Sequence, residues 1–503
     1  LKPGAALNSD SANLTTQMPG QTTAPSFLAY SEKLLAGAWR FLTYFGRDSM
    51  ISALLMEPVL SSGNDRSMEA VIDSVLERIN RTDGSVCHEE TIGDYATWTN
   101  LQNNITSNAM VCDYKMVGYL TETVQDSCLY MKQIDSDYYF PILMERYFLQ
   151  NPVGQKRVAA FFNMSSDINE ANQNLTWGQL ATINAARIMR LTAPFANEQT
   201  KANLIHLKHG QTVGEWRDSE YGIGGGRIPY DVNTALVPAA LRSIAALSRN
   251  GIYPNHQSWA QLADNYAQIW EDKTLPFFSV TIPQAKAQSL MQSYANTSFP
   301  GPSQSSTIDA DVTFHALSLD GYNNLTQVQV MNTDDCFRHF LLNTTDDAQL
   351  TPFLNTSTTN IRRTFPAGLM TSAGMVVANP AFGGDPIYAQ NWTTGAYHGT
   401  VVWSWPMAMM AKGLDLQLGR CEVTSNVLIS SKERRIPVRV PAFCTDDSVY
   451  GNVKEAYNTL WDSIEGNQDQ LSQEVWSWVY RGGFQVTPLG VIPPPGAGTQ
   501  TEL

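Results

Sequence analysis

Carboxyl groups and aromatic side chains occur together at residues 214–219, which read Gly-Glu-Trp-Arg-Asp-Ser. A turn rich in glycine follows at 222–226. An indole beside a carboxyl group excludes water and favours the protonated form that a general acid requires. Asp218 is therefore a candidate proton donor, and Trp216 is a candidate ring for sugar stacking. The alternative interpretation is an ordinary surface turn.

A second carboxyl group near indoles lies late in the chain, in the segment Leu-Ser-Gln-Glu-Val-Trp-Ser-Trp at 471–478. We interpret this segment as a helix start that directs Glu474 inward beside Trp476 or Trp478. Glu465 is the other candidate, and the polar residues 466–469 that follow it predict a solvated loop. The alternative for Glu474 is an ordinary charge on a helix surface.

Arg47 and Asp48 are adjacent at a predicted helix start, in the segment Tyr-Phe-Gly-Arg-Asp-Ser at 44–49. A carboxylate accepts a hydrogen bond from a sugar hydroxyl and a guanidinium donates one, so the pair suits two neighbouring hydroxyls. The alternative is a helix N-cap formed by Asp48 or Ser49, with Arg47 on the surface.

Tyr397, His398 and Trp403 lie in one segment, 396–405, before a helix of small and apolar residues. Sugar rings stack on aromatic side chains, so this group suits a saccharide pocket. Core packing explains the same residues equally well.

Two acidic segments, 87–94 and 135–137, have two interpretations: a pocket lining or cation site, or solvated loops. The seven histidines show no metal-ligand spacing, so we expect no catalytic metal. No G-x-S-x-G element, phosphate-binding glycine loop or dinucleotide-binding fingerprint is present, and we expect no cofactor.

The elements that must position these residues are mostly helical, because apolar residues recur with a 3.6-residue period. One stripe contains Ile72, Val75, Leu76 and Ile79, and we interpret such stripes as core. A second stripe runs through 259–270, and a third begins at Ile51, Leu54 and Leu55. Further helices are predicted near 116–130, 138–150, 153–163, 177–195, 235–249, 400–418, 452–463 and 470–480.

Two intervals interrupt the helical pattern. Residues 273–365 contain β-leaning pieces and are predicted to form an insertion of short strands and loops, and 421–445 are predicted to form a hairpin. The predicted boundaries are an irregular lead-in at 1–25, one helical domain at 26–490 and an extended tail at 491–503.

Composition limits the possible partners. The chain has 503 residues, 43% of them hydrophobic, which is ample for a large core, and a formal net charge of −14. An acidic surface disfavours nucleic acids and anionic membranes, whose phosphates need Lys and Arg partners. No run of about 18 apolar residues is present, so no membrane span is predicted.

N-x-S/T sequons are frequent for a chain with only 16% charged residues. They predict N-linked glycans and therefore a secreted, extracellular protein. Because the chain begins at Leu1 without an apolar leader, we expect a mature form from which the targeting peptide has been removed. The sequons start at Asn13, Asn80, Asn104, Asn163, Asn174, Asn296, Asn324, Asn343, Asn355 and Asn391.

The six cysteines include no C-x-x-C pair, which favours structural disulfides over zinc or redox chemistry. The expected local pairs are Cys112–Cys128 and Cys421–Cys444.

Taken in chain order, these segments resemble motifs of the (α/α)6 glycosidases of the glucoamylase and glycogen-debranching type. The likeness spans about residues 40–480 and is carried by short motifs. Residues 45–49 resemble the element W-x-R-D-S/T, 215–218 resemble T-W-M-D-A, 229–236 resemble P-V-E-I-N-A-L, 397–403 resemble Y-H-N-G-T-V-W, and 130–137 resemble a helix start V-D-T-x-x-x-F.

The resemblance implies an all-α fold, an (α/α)6 toroid of the six-hairpin type with a β-containing insertion. It also implies an inverting, exo-acting hydrolase of α-glucosidic linkages. Asp218 corresponds to the general acid, and Arg47 and Asp48 correspond to the residues that hold the terminal glucose. The pocket walls would then come from Trp216, Tyr397, His398 and Trp403.

The second carboxyl group must come from elsewhere in this chain. Some relatives carry the base in a P-E-W element at the third motif, where residues 401–403 here are Val-Val-Trp. We expect the base to be Glu474 or, in second place, Glu465. Inversion requires the two carboxyl groups to lie about 6.5–9.5 Å apart. Relatives commonly have a β-sandwich before the toroid, which residues 1–25 are too short to form.

Two alternatives remain open at this point. The same scaffold also hosts glycosidases for other saccharides and polysaccharide lyases, although a net charge of −14 argues against binding of uronates. The second alternative is a secreted glycan-binding protein that lacks one catalytic carboxylate. An assay for free glucose released from α-glucans distinguishes the enzyme from the binding protein.

Overall fold

Helix predominates in the computed structural model. It describes residues 29–30, 33–35, 43–61, 66–91, 112–113, 135–166, 169–207, 211, 213–219, 221–422 and 439–489. The predicted lead-in, C-terminal tail, helix near 116–130 and most of the hairpin at 421–445 lie outside these residues. The chain divides into two units, which are Leu1–Trp216 with Leu236–Trp270, and Arg217–Ala235 with Glu271–Leu503.

The first unit is built on helices that agree with the predicted periodicity. The register of its three-stranded sheet places Phe45 opposite Glu89, and Glu89 opposite Asp113. The helices are α1 (Gly46–Leu60), α2 (Ser67–Glu77), α3 (Ser136–Glu145, continued by a π-helical turn at Arg146–Gln150), α4 (Pro152–Phe162), α5 (Trp177–Asn197), α6 (Val237–Arg249) and α7 (Trp259–Lys273). The strands are β1 (Ala29–Tyr30), β2 (Lys33–Leu34), β3 (Thr43–Phe45), β4 (Glu89–Thr91) and β5 (Cys112–Asp113).

Side-chain caps fix the starts of two of these helices, α4 and α5. Thr176 and Gln179 form a reciprocal capping box at the start of α5. Asn151 accepts hydrogen bonds from the backbone at the start of α4, where Pro152 occupies a position that needs no N–H. Each cap satisfies backbone donors that have no partner inside the helix.

The second unit combines helices with short antiparallel strands. Its helices are α8 (Leu275–Phe278), α9 (Gln284–Thr297), α10 (Asp335–Leu341), α11 (Asp347–Arg362), α12 (Pro386–Asn391), α13 (Ser404–Gly419) and α14 (Asp447–Gly466). Its strands are β6 (Ile228–Pro229), β7 (Ser279–Ile282), β8 (Val312–His315), β9 (Ser318–Leu319), β10 (Met331–Asn332), β11 (Met370–Thr371), β12 (Gly374–Met375), β13 (Ala378–Asn379), β14 (Val402–Trp403), β15 (Val475–Tyr480) and β16 (Phe484–Pro488).

Long-range strand pairing occurs in the second unit. The antiparallel sheet β14–β15–β16 joins residues 402–403 to 475–488, with Val402 opposite Trp476 and Trp403 opposite Val475. Strand β7 pairs with β8 over four residues. These sheets lie among helices that pack in pairs, α10 on α13 and α11 on α14.

The predicted all-α class agrees with this predominance of helix, but two local predictions are wrong. Residues 475–480 form strand β15 and not a helix, because Val-Trp-Ser-Trp-Val-Tyr is rich in β-branched and aromatic residues and has a strand partner. The interval 273–365 contains the predicted strands β7 and β8, and it also contains the helices α9, α10 and α11. A description as strands and loops is therefore incomplete.

The disulfides and the glycan acceptors are described for part of the chain. Cys421 and Cys444 form the predicted disulfide. Cys336 is a buried free thiol, so the expectation of structural disulfides does not extend to it. Cys128 lies outside the described residues, and with it the other predicted pair. Among the described acceptor asparagines none is buried, and Asn163, Asn174, Asn296, Asn324, Asn343 and Asn355 are exposed.

Within the described ranges, no helix combines the length and the apolar character that crossing a bilayer requires.

Buried polar groups lie in the core of the second unit, at the contact between α10 and α13. A Cβ atom at Gly413 would lie 2.6 Å from the Cβ atom of His339, so a side chain there would separate the two helices. The His339 Nε2 atom lies 2.8 Å from Ser357 Oγ in a hydrogen bond. Burial lowers the pKa of His339 to about 4, Arg338 and His315 act in the same direction, and Asp335 opposes them.

This lowered pKa predicts acid sensitivity of the fold. In the unfolded chain His339 takes up a proton below about pH 6.5, whereas in the folded chain it stays neutral down to about pH 4. The unfolded state therefore binds more protons between these values, and the free energy of unfolding falls as the pH falls, by up to about 3 kcal/mol. In His339→Gln the free energy of unfolding should fall less between pH 7 and pH 4.5. Denaturant titrations at the two pH values measure this change. An equal decrease in the natural protein and in His339→Gln would contradict the prediction.

Candidate active site

The position of Asp218 is set by its neighbour Arg217, whose side chain is fully buried. The Arg217 guanidinium donates to both carboxylate oxygens of Asp334, at 3.1 and 2.7 Å, and to the carbonyl oxygen of Val377 at 2.8 Å. Bidentate pairs of this kind fix both distance and orientation. The backbone that carries Asp218 is thereby held against two distant parts of the chain.

The glycine-rich turn after this segment closes against the same backbone. The Gly222 N–H donates to the carbonyl oxygen of Ser219 at 3.0 Å. A Cβ atom at Gly222 would lie 1.9 Å from the carbonyl oxygen of Arg217, so only glycine fits there. Residues 214–217 are buried, and the interpretation of this segment as a surface turn is wrong.

Asp218 and Ser219 both contact His398. The His398 Nδ1 atom and Ser219 Oγ form a hydrogen bond of 2.8 Å, and His398 Nε2 lies 3.9 Å from Asp218 Oδ1. The His398 side chain is buried, whereas 22% of the Asp218 side chain is exposed. The imidazole thus orients the acidic segment from within, and the carboxyl group of Asp218 stays accessible to a ligand.

Aromatic rings surround this histidine. Trp403 stacks on His398 with ring centroids 5.1 Å apart, and Tyr397 meets both rings edge-on, at 4.7 and 4.8 Å. The Trp403 indole N–H donates to the carbonyl oxygen of Tyr397 at 2.9 Å. These contacts fix the 397–398 loop on strand β14. His398 and Trp403 are buried, and Tyr397 is the partly exposed ring of the three.

Glu474 reaches the same group through strand pairing. It directly precedes β15, whose register against β14 places Val475 opposite Trp403. The Ser404 N–H, at the start of α13, donates to the Glu474 carbonyl oxygen at 2.9 Å. The Tyr397 O–H donates to Glu474 Oε2 at 3.1 Å. The helix start predicted for Glu474 is wrong, and a strand start brings this exposed carboxylate to the cluster.

The structure therefore brings five predicted site residues together in the second unit. Two consecutive residues, Tyr397 and His398, contact one candidate carboxyl group each, Glu474 and Asp218 respectively. Trp403 completes the aromatic part of the cluster. Carboxyl groups beside stacked rings can transfer protons and bind a neutral saccharide.

Glu465 and Trp216 are two further candidates from the sequence. Glu465 is exposed in the last turn of α14 and, within the described part of the chain, has no hydrogen bond or ion pair to this cluster. Trp216 belongs to the first unit and is only 3% exposed, so little of its ring is open to solvent.

Arg47 and Asp48 lie in the first turn of α1 in the first unit. The N-cap of this helix is Phe45 and makes no side-chain cap, so the N-cap alternative for Asp48 or Ser49 is wrong. Arg47 is buried, with its Nε atom 3.5 Å from Asp48 and its Nη1 atom 3.5 Å from Asp135. Binding of a sugar by this pair stays a prediction.

The two weaker acidic segments are not solvated loops where the structure describes them. Asp137 is buried, accepts from the Val86 N–H at 2.7 Å and pairs with Arg187 at 2.8 Å. Glu90 is buried and pairs with Lys33 and Arg78. In the described ranges no group of three or more His, Cys, Asp or Glu side chains is arranged to hold a metal ion.

Sequence reasoning missed two positioning residues. Asp334 lies 117 residues from its partner Arg217, and no local pattern marks the pair. Ser219 lies in the candidate segment 214–219, yet its hydrogen bond to His398 spans 179 residues. Both contacts depend on tertiary structure, and the only local signal is the position of Ser219 beside Asp218.

The chain matches no model of a known protein family, and no curated protein is significantly similar to it in sequence.

The Arg217–Asp334 pair predicts a large effect on stability. Asp334→Ala leaves a buried guanidinium without its carboxylate, which should lower the free energy of unfolding by about 3–5 kcal/mol. Asp309→Ala is the matched control in the same unit, because Asp309 pairs with Arg363 but its side chain is 84% exposed. The control should cost less than about 1 kcal/mol. Denaturant unfolding compares them, and similar losses in the two variants would argue against this role for Asp334.

Proposed function

We propose that the chain is a secreted, inverting glycoside hydrolase with an (α/α)6 toroid fold that cleaves α-glucosidic linkages from a chain end. One observation carries the proposal: Tyr397 and His398, adjacent in sequence, contact the carboxyl groups of Glu474 and Asp218. Glycoside hydrolysis uses two carboxyl groups flanking the bond that is cleaved. The motif resemblance supplies the fold and the type of linkage.

Asp218 is the proposed general acid. It occupies the acid position of the family motif, and its backbone is fixed by the buried Arg217–Asp334 pair. The side chain is mostly covered but partly accessible, so a glycosidic oxygen can approach it. A proton donor must be held within hydrogen-bond reach of the leaving oxygen, and a fixed backbone helps to satisfy this requirement.

Glu474 is the proposed base. It is exposed, so a water molecule can reach its carboxylate, and the Tyr397 O–H holds one oxygen in place at 3.1 Å. This hydrogen bond is compatible with the ionised form that a base requires. The two carboxyl groups contact different rings, whose centroids are 4.8 Å apart. Inverting enzymes need a separation of about 6.5–9.5 Å between the two carboxyl groups, which leaves room for water.

The substrate is proposed to be a neutral sugar. The partly exposed Tyr397 ring can contact a sugar, and the buried His398 and Trp403 rings hold it in place. No cofactor is required for acid–base hydrolysis. The exposed acceptor asparagines and the Cys421–Cys444 disulfide support secretion.

The role of Asp218 predicts the effect of its substitution. In Asp218→Asn the side chain keeps its shape but cannot donate the carboxyl proton, so turnover of an unactivated α-glucoside should fall by about 10²–10⁴-fold. Thermal stability should stay unchanged. Asp309→Asn, at an exposed position in the same unit, should keep normal turnover. Near-normal turnover in Asp218→Asn would remove Asp218 from this role.

The role of Glu474 predicts chemical rescue. Azide needs no base, so Glu474→Ala should be inactive and should regain part of its activity in azide, yielding a glycosyl azide of inverted configuration. Glu465→Ala is the matched control, from the exposed end of α14, and should keep normal activity. Product analysis by NMR measures the outcome. Loss and azide rescue in Glu465→Ala, with Glu474→Ala active, would transfer the role to Glu465.

A further inference from the structure

A cleft of about 610 Å³ lies in the first unit, beside the end of α4, the start of α5 and the loop at 250–256. Its volume falls in the range of about 300–1,000 Å³ in which proteins hold small ligands. Side chains of four kinds line it, among them apolar (Phe162, Ile183 and Ile252), amide (Asn163, Asn250 and Asn255), hydroxyl (Thr176 and Thr182) and the imidazole of His256.

The cleft is lined without any Asp, Glu, Lys or Arg side chain. This indicates a neutral ligand, because the imidazole of His256 is the single titratable side chain in the lining. Apolar side chains can cover the C–H face of a sugar ring, and amides and hydroxyls can pair with its hydroxyl and acetamido groups. The lining therefore fits a neutral N-acetylated saccharide.

One residue of the lining is itself an acceptor for such a saccharide. Asn163 begins the sequon Asn-Met-Ser at 163–165, and its side chain is exposed at the end of α4. Its Nδ2 atom donates to the carbonyl oxygen of Ala159 at 2.8 Å. A glycosylated asparagine keeps one N–H on Nδ2, so this hydrogen bond can persist and fix the direction in which the glycan leaves.

A neighbouring sequon gives a comparison. Asn174 begins the sequon at 174–176, and an antiparallel bridge pairs Ser165 with Thr176. Asn174 is exposed but is not part of the cleft lining, whereas Asn163 is. A glycan on Asn163, unlike one on Asn174, would therefore start at the cleft.

We propose that an N-linked glycan on Asn163 occupies this cleft, with its first N-acetylglucosamine residues packed against α5 and the loop at 250–256. The glycan then acts as part of the folded first unit. This inference depends on secretion and not on the hydrolase activity, so either can fail without the other.

The test uses a pair of substitutions at Ser165. Ser165→Ala removes the sequon and leaves Asn163 in place, whereas Ser165→Thr keeps the sequon. Thr176 is left untouched because it caps α5. The proteins are produced in a secreting eukaryotic host, glycan occupancy is read by glycopeptide mass spectrometry, and hydrogen exchange is measured along the chain.

We expect Asn163 to be occupied in the natural protein and in Ser165→Thr. Its glycan should resist endoglycosidase on the folded protein, while the glycan on exposed Asn296 is removed. In Ser165→Ala, amide exchange at 250–256 should rise roughly threefold or more, because the loop loses the contacts that stabilise it locally. Removal of the Asn296 sequon by Asn296→Gln should leave exchange at 250–256 unchanged.

Three results would overturn the proposal. The first is an unoccupied Asn163 in the secreted protein. The second is a glycan on Asn163 that is trimmed as readily as the one on Asn296, with no change of exchange at 250–256 in Ser165→Ala. The third is protection of 250–256 by added maltoheptaose in the natural protein, which would assign the cleft to an external saccharide.

Discussion

The second unit depends on one buried ion pair, Arg217 with Asp334. Two charges taken out of water are stable only when geometry and additional hydrogen bonds offset the loss of hydration. Here the carboxylate receives two guanidinium hydrogen bonds, and a third goes to the Val377 carbonyl oxygen. The pair thus ties the acidic segment to the start of α10 and to the chain near β13. Because Asp218 follows Arg217 directly, its position is a consequence of this constraint.

A second constraint positions the other carboxyl group. Strands β14 and β15 pair across more than 70 residues, and their register places the residue before β15 beside the start of α13. The Trp403 ring, fixed on β14, stacks on His398 and meets Tyr397 edge-on. The same short sheet therefore positions both the aromatic group and the carboxylate of Glu474. An ion pair on one side and a strand register on the other bring the proposed acid and base to one two-residue loop.

Local sequence patterns predicted much of the helical structure. They failed where pairing with a distant segment determines the secondary structure. Helices α5 and α6 follow from apolar periodicity, and α5 also from its capping box, and both signals are local. Residues 475–480 form a strand because residues 402–403 pair with them, and although Val-Trp-Ser-Trp-Val-Tyr favours a strand, the sequence does not identify the partner. Helix α11 carried a readable signal in its N-cap Asp346, which the many polar residues of its interval obscured. Residue type marks Asp218, Tyr397 and His398 as site candidates, whereas the contact between Tyr397 and Glu474 required the fold.

The central claim is that two carboxyl groups hydrolyse an α-glucosidic bond with water attacking from the opposite face of the sugar. The most direct measurement supplies a panel of α-linked glucosides and follows the first product by NMR before its anomers equilibrate. The account predicts release of β-glucose from an α-linked substrate. Release of α-glucose would contradict inversion, and absence of any hydrolysis across the panel would contradict the assignment as an α-glucoside hydrolase.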